Sequence, residues 1–370
     1  MSTTDFGTKP EQQRAWASEL LRESNGQLFW KSMMAEEGGI ITVNNELKRI
    51  NGADQAIHKL LPELKGTGVT GGSTLRGNEE SMAAQYIKLN IGRVRNAVIS
   101  SGKLSDQRSV IDFRKEAKTS LATWRATIFD ELMFLTMSGV SYNLNCNGAT
   151  RVVLPGQQSL ATLDFAADVS APTANRHFNA AGAAGITAGN TATIDATSLI
   201  TYDGILDLVA EVKTQRVKPL RVMDRPCYVL VLHPKQFAQL KKDSKFNLAL
   251  VQGAQRGMDN PVFTGAEAIT VDGLIVKVND RVFNTTKAAA GSKWGATGNQ
   301  NGARALLLGQ QAGLVTDLLG ETDWSEQDED YKERSGISVG LMFGMKKSVY
   351  TSTYTGTSED FGCVAFDTAI

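Results

Sequence analysis

The chain has 370 residues, 42% hydrophobic and 21% charged, which is enough apolar side chain for one large or two ordinary domains and too much for a disordered chain. Lys plus Arg and Asp plus Glu number 39 each, a zero balance that argues against a dedicated nucleic-acid binder and tolerates self-association. Three widely spaced cysteines, Cys146, Cys227 and Cys363, exclude a disulfide framework or a CxxC zinc knuckle and fit a reducing cytoplasm.

The polar start MSTTDFGTKP shows no secretory signal, and no apolar run approaches the ~18 residues of a membrane span, so no membrane partner is expected. The first predicted element is an amphipathic helix carrying Trp16, Leu20, Leu21 and Phe29, with a break near Asn25-Gly26. From His58 to Leu104 the pattern becomes a two-stranded excursion around a tip with five glycines in residues 66–80. Tyr86, Ile87, Leu89, Ile91, Val94 and Val98 alternate in its second arm. An isolated hairpin is marginal in water, so this arm is expected to pack on a neighbouring subunit.

Residues 109–138 form the strongest predicted helix. Its apolar positions Val110, Phe113, Ala117, Leu121, Trp124, Ile128, Leu132 and Leu135 fall at steps of three and four. Ser109 or Asp106 can cap its start, and Gly139 suits its end. Residues 165–197 and 287–303, rich in Ala, Gly and Thr, read as surface loops of low structural content. The rest is mixed α/β. A helix over 198–217 presents Ile205, Leu208, Val209 and Val212; a buried strand over 227–234 ends at His233-Pro234; and Pro234 opens another helix. A hairpin turns at Asp272-Gly273, a buried strand covers 303–309, and residues 337–354 form a long strand pair or bent strand.

Two motif matches fail on context. Gly66 to Gly71 spells the dinucleotide fingerprint G-x-G-x-x-G, but Pro62 precedes it, no helical period follows, and LNIGRV stands where an acidic ribose partner belongs. Gly336 to Gly340 spells G-x-S-x-G around Ser338, yet a strand pattern follows and the last histidine, His233, lies upstream. His58, His177 and His233 have no histidine or cysteine at metal spacing. The acidic run with Glu321, Asp323, Glu326, Asp328, Glu329 and Asp330 lacks the spacing and central glycine of a calcium loop, so it reads as a solvated or partner-facing face. No catalytic constellation, cofactor or metal is expected. Residues 84–128 carry nine basic and three acidic side chains, and 321–334 seven acidic and two basic. That separation fits subunits docking basic to acidic, or two solvated faces that never meet.

The order of elements resembles that of tailed-bacteriophage major capsid proteins. The stretches GTGVTGGSTLRGNEE (66–80), DFRKEAKTSLATW (112–124), VLHPKQFAQLKKD (231–243) and NPVFTGAEAITVDGLIVKVNDRV (260–282) are similar to the N-four-like branch of that family, and the likeness spans roughly residues 11–365. The resemblance implies an α+β chain of the Johnson (Hong Kong ninety-seven) fold. Its mapping gives an N-terminal arm (1–57), an extended loop (58–104), and a peripheral domain (105–197) whose spine helix is 109–138. An axial domain (198–335) and a return strand with the C-terminus (336–370) complete it. It also implies a non-enzymatic shell protein that assembles into hexamers and pentamers of an icosahedral head, made in the bacterial cytoplasm. Partners would be portal, scaffolding or cement proteins, with non-specific contact to packaged double-stranded DNA. On this reading Gly71, Gly72 and Gly77 let the loop lie against an adjacent subunit, where Arg76, Glu79, Glu80, Arg93 and Arg95 make contact. An encapsulin-like compartment shares the fold, and a minor capsid or decoration protein is a weaker alternative.

Overall fold

The computed structural model describes residues 10–44, 55–60, 64, 66–80, 84–108, 112–182, 185–222, 225–253, 269–271, 273–317, 323–331, 333–352 and 355–370. Two sheets and one long helix organise them. The first sheet runs in the order Met34–Ala35, Ile41–Asn44, Gly313–Asp317, Arg334–Lys347, Asp323–Glu329, with Gly92–Ile99 also pairing Arg334–Lys347. The second runs Ile269–Val271, Leu274–Val278, Arg225–Leu232, Gly302–Leu308, Cys363–Ala369, His177–Ala180, Ile186–Ala188, and Leu220–Val222 pairs with Arg225–Leu232. The stretch 198–335 is therefore divided: Gly302–Leu308 belongs to the second sheet, and Gly313–Asp317 and Asp323–Glu329 to the first.

The long helix spans Phe113–Ser138, about 39 Å at 1.5 Å per residue. Its cap is neither Ser109, which lies outside the described residues, nor Asp106, which sits inside a separate short helix, Lys103–Arg108. Asp112 takes that place, its carboxylate accepting from the amides of Arg114 and Lys115. A charged acceptor there satisfies orphan donors and meets the positive end of the helix dipole. Gly139 ends the helix in the left-handed region, φ 67°, donating to the Leu135 and Thr136 carbonyls. A Cβ at Gly139 would lie 2.4 Å from the Ser170 carbonyl oxygen. Gly139→Ala is therefore expected to destabilise by about 1–3 kcal/mol, from left-handed backbone and overpacking together, measured as a lowered urea midpoint. An unchanged midpoint would show that this crossing yields freely.

The stripe read from the sequence understates the helix's burial. Leu132, Met133, Phe134, Leu135, Thr136, Met137 and Ser138 are all buried. The reason is position: this half lies between the two sheets, in a core shared with Leu341, Phe343 and Met345 of the first and Val229, Val231, Leu306 and Leu308 of the second. Each fully buried Leu or Phe there contributes roughly 1.5–3 kcal/mol. The second sheet alternates with period two. Leu230, Leu232, Leu307 and Phe366 face the opposite core, made with Ile205, Leu208, Val209 and Val212 of the helix Tyr202–Thr214 and with Phe237 and Leu240.

The N-terminal helix Pro10–Gln27 and the turn Trp30–Met33 bear out the expected amphipathic segment. The helix docks on the long one through Leu20, a Trp16 ring beneath Arg114 and Lys118, and an Arg125–Ser24 hydrogen bond of 2.8 Å. Three other readings change. The second arm of the excursion is not one strand: it breaks at Ile91 into Gln85–Asn90, which pairs Gln55–Leu60, and Gly92–Ile99, which joins the first sheet. Residues 165–197 are not low in structure. Phe165 is fully buried, His177–Ala180 runs parallel to Cys363–Ala369, and Ile186–Ala188 extends the sheet. His233 is more than a strand end, since its side chain caps the helix Pro234–Lys242 in a capping box with Gln236.

Candidate assembly surface

The hairpin base is anchored in its own chain. Ala56, Ile87 and Leu89 are buried against Leu314 and Tyr350. Gln85 clamps the next layer: its side-chain oxygen accepts from the Thr351 amide at 2.8 Å and its nitrogen donates to the Thr351 carbonyl at 2.9 Å. Beyond this base the tip, residues 66–80, is exposed except for a half-buried Val69.

Two carboxylates shape the tip. Glu80 accepts from the Gly66 amide at 2.6 Å, and Glu79 from the Gly77 amide at 2.7 Å. Such charge-assisted bonds outlast neutral ones. Within the G-x-G-x-x-G match the Gly66 amide is taken by Glu80, and turns rather than a helix follow. Gly71 and Gly77 adopt φ of 68° and 89°, which a residue with a Cβ resists. Gly72 does not, and a Cβ at any of the three would meet nothing within 4 Å. Leu75 is exposed, and Arg76 has no hydrogen bond or ion pair among the described residues.

Arg93 and Arg95 project from the exposed face of Gly92–Ile99, opposite Met342 and Gly340. The acidic run forms the strand Asp323–Glu329 on the other side of Arg334–Lys347. Glu321 lies outside the described residues. Of Asp323 only the backbone is described, and it pairs with Gly340. Glu326 is paired within the chain, with Arg114 and with Trp324 Nε1. The basic and acidic stretches thus meet inside one subunit at this point. Asp328 accepts from Ser335 Oγ at 3.2 Å, while Glu329 and Asp330 are exposed with no partner among the described residues. Ser338 sits in mid-strand, paired with Ser325 on one side and Ala97 on the other, its hydroxyl donating to the Ser325 carbonyl. That is not a nucleophile elbow.

Sequence reasoning missed a set of buried ion pairs that tie residues 171–177 to the C-terminus. Arg304 grips Asp367 with two bonds of 2.7 and 2.8 Å, and His177 Nε2 lies 2.7 Å from the same carboxylate. Arg176 pairs with Glu359 at 3.0 Å and Lys347 with Asp360 at 2.8 Å. No local signal announces them, because the partners are far apart in sequence. Burial pushes the thiols of Cys146 and Cys363 up, Cys363 to about 12, so neither is a nucleophile. Among the described residues no group of three His, Cys, Asp or Glu could hold a metal, and no helix is long and apolar enough to cross a membrane.

A sequence model of the family described as phage capsid protein matches residues 8–370. The major capsid protein of Pseudomonas phage KPP25 is 35% identical over 359 residues, covering 96% of this chain and 94% of that relative. Among solved structures, the capsid of Ralstonia phage GP4 superposes with a TM-score of 0.76 at 22% identity, over 100% of this chain and 98% of that one. The cyanophage Pam1 capsid asymmetric unit gives 0.71 at 17% identity, over 92% and 91%. These neighbours carry the Hong Kong ninety-seven fold, and the α+β fold expected from the resemblance is the one observed. The function that follows is that of a phage major capsid protein, a structural component of the shell. The chain belongs to the phage capsid protein family.

Proposed function

We propose that this chain is the repeating wall unit of an icosahedral phage head, joining its copies into hexamers and pentamers around double-stranded DNA. The observation that carries the reading is the tip at residues 66–80: exposed, glycine-rich, and projecting from a base anchored in its own subunit. A loop with open space beside Gly71, Gly72 and Gly77 can lie flat on an adjacent copy, and Arg76 is left for a carboxylate there. Arg93 and Arg95 extend the same contact, and Glu329 and Asp330 offer an acidic counterpart. Residues 58–104 act as the extended loop, the long helix as the spine of a peripheral domain, and the second sheet as the body of an axial domain.

The role is structural rather than catalytic. The balanced charge suits a wall whose contact with packaged DNA is weak and non-specific. Assembly in the bacterial cytoplasm fits three free cysteines. Portal, scaffolding and cement proteins are the expected partners of the finished shell.

The test is negative-stain electron microscopy with light scattering, on the protein alone and on the protein co-expressed with the phage's other head proteins. Closed shells, tubes or five- and six-membered rings are expected. A monodisperse monomer or dimer under both conditions, at high concentration, would refute the reading.

A further inference from the structure

The turn joining Asp323–Glu329 to Arg334–Lys347 is an unusual surface feature. Glu329 pairs with Arg334 across the strands, and the Glu333 amide donates to the Asp330 carbonyl at 2.9 Å, closing a four-residue loop. Asp330 and Tyr331 hold left-handed backbone in succession, φ 52° and 53°. That region disfavours side chains with a Cβ, and a bulky aromatic more than most. The result is a tyrosine ring fully exposed to solvent, preceded by two carboxylates with no partner among the described residues. An isolated, solvated charge run needs no aromatic at its apex.

Elsewhere on the same chain lies a cleft of about 560 Å³, between the hairpin base, the end of the helix Tyr202–Thr214 and the strands Val349–Thr351 and Ser358–Asp360. Val217, Tyr228, Tyr350 and Phe361 give its lining apolar surface. Lys213, Arg216 and Lys218 stand along one wall. Its two carboxylates, Glu359 and Asp360, are already paired with Arg176 and Lys347. Lys218 has no ion pair among the described residues. Tyr350 is 5% exposed, and its hydroxyl has no hydrogen-bond partner. A buried hydroxyl left unpaired is costly.

We propose that the Tyr331 turn of one copy inserts into this cleft on a second copy, ring against its apolar lining, Glu329 and Asp330 toward Lys218. The full exposure of Tyr331 shows that it does not fill the cleft of its own subunit. The glycine-rich tip is the poorer occupant, since Glu79 and Glu80 are engaged with its own amides. Knob and cleft are different patches, so the contact is heterologous, the kind that closes rings or extends a lattice. A tyrosine seated in a pocket and rimmed by opposite charges has the composition of an interface hot spot. The inference rests on the shell-forming role above.

The test places a photo-crosslinking phenylalanine analogue at position 331, in cells expressing the phage's head proteins, and maps the crosslinked peptides. Shells whose crosslinks run from residue 331 to 213–228 or 350–361 of another subunit are expected, with none in dissociated subunits. Shells with crosslinks elsewhere, or none, overturn the contact while leaving the shell role standing. Failure of the unmodified protein to form any shell sinks both. Tyr331→Gly gives an independent reading. It relaxes the left-handed backbone, so the subunit should melt no lower than wild type, yet shell yield should fall at least tenfold. Lys218→Glu should lower yield similarly and be rescued by Asp330→Lys. Wild-type yield from Tyr331→Gly, or no rescue, counts against the proposal.

Discussion

Replacing residues 66–80 by a short Gly-Ser linker is expected to abolish shell formation and leave the subunit folded. The tip contributes almost nothing to the core, because every described residue in it except Val69 is exposed. The anchors lie outside the deletion: the Gln55–Leu60 and Gln85–Asn90 ladder, the Gln85 clamp on Thr351, and Ala56, Ile87 and Leu89 against Leu314 and Tyr350. Unfolding free energy should therefore stay within about 0.5 kcal/mol of wild type. Assembly responds differently. If the tip supplies even 2–3 kcal/mol per subunit contact, each contact weakens roughly 100-fold, and a closed shell repeats that loss at every subunit. Urea unfolding and electron microscopy of the same preparation separate the two effects. Normal shells would remove the assembly role from Gly71, Gly72, Arg76, Gly77, Glu79 and Glu80 together. Among single changes Arg76→Glu is the cleanest probe, since Arg76 has no partner to lose among the described residues. Reversing Glu79 or Glu80 would also break their bonds to the Gly77 and Gly66 amides and open the loop.

What the sequence discloses follows the range of the interactions involved. The long helix was legible because steps of three and four are a local property, and Gly139 because left-handed backbone selects glycine locally. The strand Gly302–Leu308 and the helix Tyr202–Thr214 were legible for the same reason. The apolar stripe captures only part of the burial in the helix's second half. Nothing near Met133 or Met137 reveals that a second sheet, closed by the last residues of the chain, covers the rest. Residues 165–197 were misread because Ala, Gly and Thr suggest a loop, whereas backbone pairing with Cys363–Ala369 needs no particular side chain. Their buried contacts span 183 residues from Arg176 to Glu359, an ion pair, and 190 from His177 to Asp367, a hydrogen bond, beyond the reach of any local pattern. At the candidate surface, glycine content revealed where the chain projects. It did not reveal that two of the three charges nominated at the tip are occupied with its own amides.

The largest loss of subunit stability should come from Arg304→Met. Arg304 is 7% exposed and Asp367 fully buried. The guanidinium makes both bonds to the carboxylate and donates a third, at 2.7 Å, to the Ser138 carbonyl at the end of the long helix. It thereby joins the C-terminal strand to the helix that both sheets share. Removing it leaves a buried carboxylate facing His177 alone, and breaking a buried pair from one side costs about 3–5 kcal/mol. That is a large fraction of the roughly 5–15 kcal/mol that holds a domain folded. The pH dependence discriminates this cause from lost packing. Burial pushes the Asp367 carboxyl up, but the Arg304 charge and bonds, with the His177 contact, outweigh it and hold it below the usual carboxylate range. A depressed folded-state value gives stability that is complete above the unfolded value of about 4 and is lost as pH falls through the folded one. Without Arg304 only burial and His177 remain to set that value, so the carboxyl takes up its proton at higher pH and the penalty relaxes earlier. The gap between wild type and Arg304→Met should therefore be widest at pH 7 and narrow toward pH 4, read from urea midpoints. The double change Arg304→Met with Asp367→Leu should recover most of the loss at pH 7, since it leaves no buried charge unpaired. An equal deficit at both pH values, with no recovery in the double variant, would mean that Arg304 acts through its packing and its bond to Ser138, not through Asp367.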